Sequence, residues 1–90
     1  MKLHLVRLAR AQGEVRFPGV RPFRAYLLEA AEEVGQGRLY LLLEGELVID
    51  LPDGGYLHLR RGEAAHLAGP HRLVPIDPSI LAVWETEAAP

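Results

Sequence analysis

Cysteine is absent from the 90-residue chain, which removes a disulfide framework, a thiolate nucleophile and any zinc site built on sulfur. A metal would have to be held by histidines and carboxylates. Asparagine is absent too, serine and threonine occur once each, as Ser79 and Thr86, and lysine occurs once, as Lys2. With one serine in a DPS turn, no cysteine and no carboxylate pair of defined spacing, no catalytic constellation can be drawn, and an enzyme is not the favoured reading. No long apolar block is present either. The first residues, MKLHLVRLARAQGEVRF, are apolar in alternation and interrupted by Arg7, Arg10 and Arg16, so they read as neither signal peptide nor membrane span. A cytoplasmic location without a membrane partner is the resulting expectation. Excess positive charge is also lacking: ten basic residues against twelve acidic ones give a net charge of −2, no electrostatic footprint for nucleic acid. Nine of the ten basic residues are arginine, a balance that suits a heat-adapted or a GC-rich source.

What the chain does have is 49% hydrophobic content, broken into short stretches. Turn signals recur at PGVRP (18–22), VGQG (34–37), EG (44–45), PDGG (52–55), RG (61–62), GP (69–70) and DPS (77–79). The segments between them are short and rich in Leu, Val and Ile, the pattern of an all-β sandwich or barrel. Strands are expected at about Leu3–Leu8, Val15–Phe17, Phe23–Ala30, Leu39–Leu43, Glu46–Leu51, Tyr56–Arg60, Ala64–Leu67, Arg72–Ile76 and Ile80–Glu85. Eight or nine strands make a small closed or nearly closed barrel. The whole chain, residues 1–90, reads as one domain, and a core this small gains from further burial between subunits, so a homodimer is expected.

Two segments resist that pattern. Tyr26–Glu33 has high helix propensity, but Pro22 and the Gly35–Gly37 pair bound a stretch too short for a stable amphipathic helix, so it is read as β. Leu39–Leu43 is apolar on both faces, which fits a strand buried between the barrel interior and another layer or under a partner subunit. By contrast, Tyr56–Arg60 alternates, with Leu57 and Leu59 on one face. The last residues, Glu85–Pro90, read as a frayed tail.

The stretch Arg38–Leu47, RLYLLLEGEL, resembles the end of the first motif of the cupin family: His, one residue, His, three or four residues, Glu, six residues, Gly. Gly45 is then the motif glycine, placed where a tight hairpin needs positive φ. The second motif, Gly, five residues, Pro, one residue, Gly, two residues, His, is matched in part by Gly62 and by Ala68, Gly69, Pro70 and His71. Its proline is missing and the stretch is two residues shorter, an even number that keeps His71 on the same side of a strand. The resemblance covers about Phe23–Glu85 and implies a cupin-like jelly-roll barrel. It supports a fold more than a function.

The resemblance also implies a metal centre of three histidines and one carboxylate, suited to iron, manganese, nickel or zinc. Counting back from Gly45, the carboxylate position falls on Arg38. The two histidine positions fall on Glu32 and Val34 for the shorter spacing, or on Ala31 and Glu33 for the longer. Only His71 remains of the set, and a guanidinium would set a permanent positive charge against a divalent cation. No metal in the usual position, and hence no cofactor, is the expectation.

The candidate ligand-binding residues are Arg38, Tyr40 and His71. His71 suits a lone general base or hydrogen-bonding group in the barrel mouth, or a histidine that flanks the Pro70 turn. Arg38 suits bidentate binding of a carboxylate or phosphate, or a solvated place after the GQG turn. Tyr40 shares a strand face with Arg38 and would line the same lumen, as ligand contact or as a core tyrosine. Trp84 is a core or interface anchor, and Glu32 and Glu33 are substitute ligands or surface residues. Three functions stay open: a binding or sensory module for a small molecule, anionic or neutral; a metal-dependent oxygenase, isomerase or decarboxylase with ligands moved to His58, His66, His71 or nearby Glu; and a structural or dimerisation module with a filled barrel.

Overall fold

The computed structural model describes residues 1–86; the tail expected over Glu85–Pro90 therefore lies mostly outside the described residues. The chain runs α1 (Leu5–Gln12), β1 (Glu14–Val15), β2 (Phe23–Leu28), β3 (Glu32–Val34), β4 (Arg38–Asp50), β5 (Tyr56–Arg60), β6 (Ala64–Leu67) and β7 (His71–Glu85). The two long strands, β4 and β7, pair antiparallel along their whole lengths, and every shorter strand except β1 attaches to one of them. The first half of β4 lies between β6 and the second half of β7, whose other side carries β2. The second half of β4 lies between β5 and the first half of β7, whose other side carries β3. One sheet thus folds over into two walls, and β4 and β7 each serve in both. That double service is how seven strands fill the places of the eight or nine expected for a barrel.

The fold line crosses Leu42–Leu47 on β4 and Pro75–Leu81 on β7, where the register shifts three times. Bulges bend and twist a pair in this way. Gly45 sits at the bend with φ 96°, and a Cβ there would come within 2.6 Å of the Ser79 hydroxyl and 2.7 Å of the Pro78 carbonyl. Ser79 is fully buried and donates to the carbonyls of Glu46 and Asp77. The expected hairpin at Gly45 is corrected accordingly: the glycine lets one strand turn a corner against its neighbour, and the segments 39–43 and 46–51 are one strand.

The interior between the walls holds Tyr26, Leu28, Val34, Tyr40, Leu42, Leu47, Ile49, Leu59, Leu67, Leu73, Leu81 and Val83. A second apolar cluster lies outside the first wall, where α1 covers Ala25, Leu27, Leu43 and Ile80 with Leu5, Val6, Leu8 and Ala9. This explains half of the two-faced run 39–43: Leu42 points in and Leu43 lies under the helix. Beside the helix, Trp84 packs on Phe23 with ring centroids 4.9 Å apart.

The strand expected at Leu3–Leu8 is instead this helix. His4 caps it, its Nδ1 accepting from the Arg7 amide at 3.1 Å, and Gly13 closes it at φ 86° with its N–H on the Ala9 carbonyl. Alternation of Leu3 and Leu5 concealed the three- and four-residue spacing of Leu5, Leu8 and Ala9. No helix forms over 26–33: the strand expected at Phe23–Ala30 ends at Leu28 as β2, and a separate edge strand β3 follows. Among the described residues no helix is long and apolar enough to cross a membrane.

Candidate functional site

Because β4 and β7 each double back at the bend, their starts and ends meet at the opposite end of the barrel. There Arg38 pairs in register with Glu85 in one wall, and His71 with Val34 in the other. Arg38, Tyr40 and His71 all turn into this end, at 7%, 0% and 4% exposure. A solvated Arg38 is ruled out by that burial.

Arg38 is held between two carboxylates. Its Nε lies 3.1 Å from Glu85, and its Nη1 lies 3.4 Å from Glu32. The Tyr26 hydroxyl donates to the other oxygen of Glu32 at 3.0 Å, and Gln36 donates to Glu85 at 3.1 Å. Arg24 lies 4.3 Å over the Tyr26 ring, so the network alternates cation and anion along the mouth. Burial opposes the charge on Arg38 but is outweighed by the Tyr40 oxygen and by Glu85, and the guanidinium holds its proton more firmly than usual. Burial, followed by the Glu32 charge, raises the Tyr26 phenol well above the ordinary tyrosine range.

Tyr40 and His71 join the two walls through a buried hydrogen bond of 2.6 Å between Oη and Nε2. On its other side, His71 Nδ1 lies 2.8 Å from the Gly69 carbonyl. A carbonyl only accepts, so Nδ1 carries the proton; in the neutral ring Nε2 is then the acceptor and Tyr40 the donor. Burial pushes the Tyr40 phenol up to about 12, against the pull of Arg38. Behind this pair Leu42, Leu47, Ile49, Leu73, Leu81 and Val83 are fully buried, so the deeper barrel is filled by side chains.

The opening beside His71 is a cleft of about 270 Å³, with Val34, Leu51, Pro52, Pro70 and His71 in its lining. Exposed Glu33, Asp50 and Arg72 also border it, and Glu33 and Arg72 form an ion pair at 3.4 Å.

The described chain is similar over 97% of its length to protein NMB1881 from Neisseria meningitidis, whose whole chain is covered at a TM-score of 0.73 and 19% identity. It is similar over 72% of its length to a cupin-2 domain containing protein from Shewanella frigidimarina, of which 69% is covered at a TM-score of 0.63 and 17% identity. No protein-family model and no curated protein matches the sequence. The fold is cupin-like.

On a cupin-like barrel, the side chains that face inward identify which motif spacing applies. Glu32 bonds Tyr26 and Arg38 inside the mouth and Val34 is in the core, whereas Ala31 and Glu33 are exposed. Of the two spacings, only the shorter has both its positions facing inward, and the resemblance then puts the motif positions at Glu32, Val34, Arg38 and His71. They do not fit a divalent metal: one position is an aliphatic side chain and one a guanidinium already bonded to a third, Glu32. The other imidazoles stand apart. His4 caps α1, His58 pairs with Glu46 on the flank of β4 and β5, and His66 is exposed on β6. Among the described residues no three His, Asp or Glu side chains come together as metal ligands would. The relocated ligand set at His58, His66 and His71 therefore has no geometric basis.

Sequence reasoning left out the two partners of Arg38. Glu32 is expected as a substitute ligand or a surface residue, and its alternation with Val34 is the local signal of an inward position. Glu85 falls at the end of an expected strand and at the start of the expected tail, and its place opposite Arg38 depends on long-range register that no local pattern encodes.

Proposed function

We propose that this chain is a small-molecule binding or sensory module that has exchanged the cupin metal for an internal ion pair. The observation that carries the reading is the cleft of about 270 Å³, whose lining includes Val34 and His71, two of the four motif positions. A small cleft with an apolar floor of Val34, Leu51, Pro52 and Pro70, one oriented polar ring and charged groups at Glu33, Asp50 and Arg72 suits a compact ligand. His71 would be the contact residue, oriented by Tyr40 and Gly69, and Arg38 would supply the cation of the mouth. An anionic group that reaches Arg38 has to take the place of the Glu32 carboxylate, whose side chain is one-third exposed. Small carboxylates and inorganic phosphate are therefore the first probes.

The test is a titration of the isotope-labelled protein with acetate, succinate and inorganic phosphate, followed by amide and imidazole resonances. Saturable shifts at Val34, Leu51 and His71 that vanish in His71→Ala support the reading, and a silent cleft across the panel counts against it. Elemental analysis of protein purified without chelator or affinity tag tests the other half: stoichiometric iron, manganese, nickel or zinc would overturn the metal-free assignment. A second reading, a structural or dimerisation module, draws on the filled interior from Leu42 to Val83.

A further inference from the structure

The four shorter edge strands of the folded sheet differ in how they are guarded. β1 carries Glu14, β3 carries Glu32 and Glu33, and β5 carries Arg60, whereas β6 is Ala64, Ala65, His66 and Leu67, without a carboxylate, lysine, arginine, proline or bulge within it. Exposed strand edges are normally protected by such devices, because unpaired N–H and C=O groups invite another strand. Among the described residues β6 pairs with β4 alone.

The outward groups of β6 follow from its ladder with β4. Leu42 N–H bonds the Glu63 carbonyl at 2.9 Å, which makes 42 and 63 a bonded position; alternation then turns the backbone groups of Ala65 and Leu67 toward β4. Those of Ala64 and His66 face away from it. The outer wall beside this edge is also uncharged: Leu41 lies opposite Ala64, Leu39 opposite His66, and Trp84 opposite Leu39, all beyond the cover of α1. Leu39, Leu41 and Trp84 are only half-buried.

We infer that β6 is the contact between two copies of this chain, paired antiparallel about a twofold axis at Ala65. In that register Ala64 of one copy lies opposite His66 of the other, and each of the two such positions exchanges two backbone hydrogen bonds. The outward donors and acceptors of this edge are thereby complementary to themselves. No like charges meet, since Glu63 falls opposite Leu67 of the second copy, and the small Ala64 methyl leaves room for the facing imidazole. The uncharged outer rows of both copies become one surface around the axis. This assignment is independent of ligand binding in the cleft.

Sedimentation velocity and light scattering over a wide concentration range test it. A species of twice the 10.0 kDa chain mass is expected. His66→Pro removes only an outward N–H, leaving the ladder with β4 intact, and should weaken association by about ten-fold or more while circular dichroism stays β-like. Ala64→Lys sets two ammonium groups beside the joined edge and should do the same without any backbone change. A wild-type chain that stays monomeric at millimolar concentration overturns the inference, as does a dimer that both variants leave unchanged. A monomer whose β6 amides are protected only on addition of an unrelated strand-forming peptide would assign the edge to another partner and equally overturn it.

Discussion

Tyr40 and His71, thirty-one positions apart, meet at 2.6 Å across the interior and make a buried polar link between the two walls. The link is specified at three points, because Gly69 fixes the imidazole tautomer that lets the phenol donate. Tyr40→Phe keeps the ring and removes the donor, leaving Nε2 of His71 a buried acceptor without a partner. The expected loss is about 1–3 kcal/mol of unfolding free energy, measured by urea denaturation. His71→Phe in the same background removes the orphaned group and should recover part of it.

Alkaline pH should unfold the protein through its tyrosines. Both Tyr26 and Tyr40 have folded-state pKa values above the unfolded value of 10.0, Tyr40 at about 12, each chiefly because burial disfavours the phenolate. Between about pH 10 and 12 the unfolded chain therefore binds fewer protons than the native one, and stability falls as pH rises. The stabilisation is fully present below pH 10. Absorbance of phenolate followed against pH, with circular dichroism in parallel, should show late tyrosine ionisation coinciding with loss of structure, and Tyr40→Phe should reduce the steepness of that loss.

Arg38→Met strands Glu32 and Glu85 near one another without their cation. Because both carboxylates are about one-third exposed, water offsets part of the penalty, and a cost of about 1–3 kcal/mol is expected. Glu32→Gln in the same chain should restore some of it. The interaction energy from this double-mutant cycle, measured by chemical denaturation, should be clearly non-zero; an additive pair would mean that the contact contributes nothing.

Two glycines with almost the same φ should respond very differently to alanine. Gly62 has φ 89° and open space around it, so Gly62→Ala should cost about 1–2 kcal/mol, the ordinary left-handed penalty. Gly45 has φ 96° and a would-be Cβ 2.8 Å or less from three atoms of Pro78 and Ser79. Its alanine variant adds a backbone clash to the same strain and should lose about 3 kcal/mol or more, read from thermal melts of both variants.

The N-terminal helix provides a gentler test. His4→Ala removes the acceptor for the Arg7 amide and should cost about 0.5–2 kcal/mol, while His4→Asp keeps an acceptor and should retain the stability.

Much of the barrel was legible because its strands alternate and its turns are marked by Gly and Pro; Tyr56–Arg60 and Ala64–Leu67 were expected with the bounds they have. The two strand breaks that are not breaks share one cause. EG at 44–45 and DPS at 77–79 carry turn chemistry, but whether such residues reverse a strand or bend it depends on what the neighbouring strand does, and each of these two breaks faces the other. Nor did the leading segment announce its helix: a histidine cap is an uncommon start signal, and eight residues give periodicity little room. In the site, motif position and strand parity put Arg38, Tyr40 and His71 on one inward side as one open reading, with a solvated Arg38 as the other, and burial decides between them. Their partners were not legible in the same way: Glu85 reaches Arg38 across 47 positions, and Glu32, although only six positions from both Arg38 and Tyr26, is set between them by the pairing of β3 with β7.

The two long strands have a consequence for how this protein comes apart. Since β4 and β7 contribute to both walls, neither wall can open alone without pulling apart a ladder that continues into the other. Amide hydrogens near Ile49 and near Val83, on opposite walls, should then exchange through one shared global event, whereas those of α1, held by one apolar patch, an Arg10–Glu44 ion pair and the Gly13 carbonyl, should exchange earlier. The barrel behaves as one cooperative body with a detachable lid of helix, and damage to either long strand is felt at both ends of the molecule.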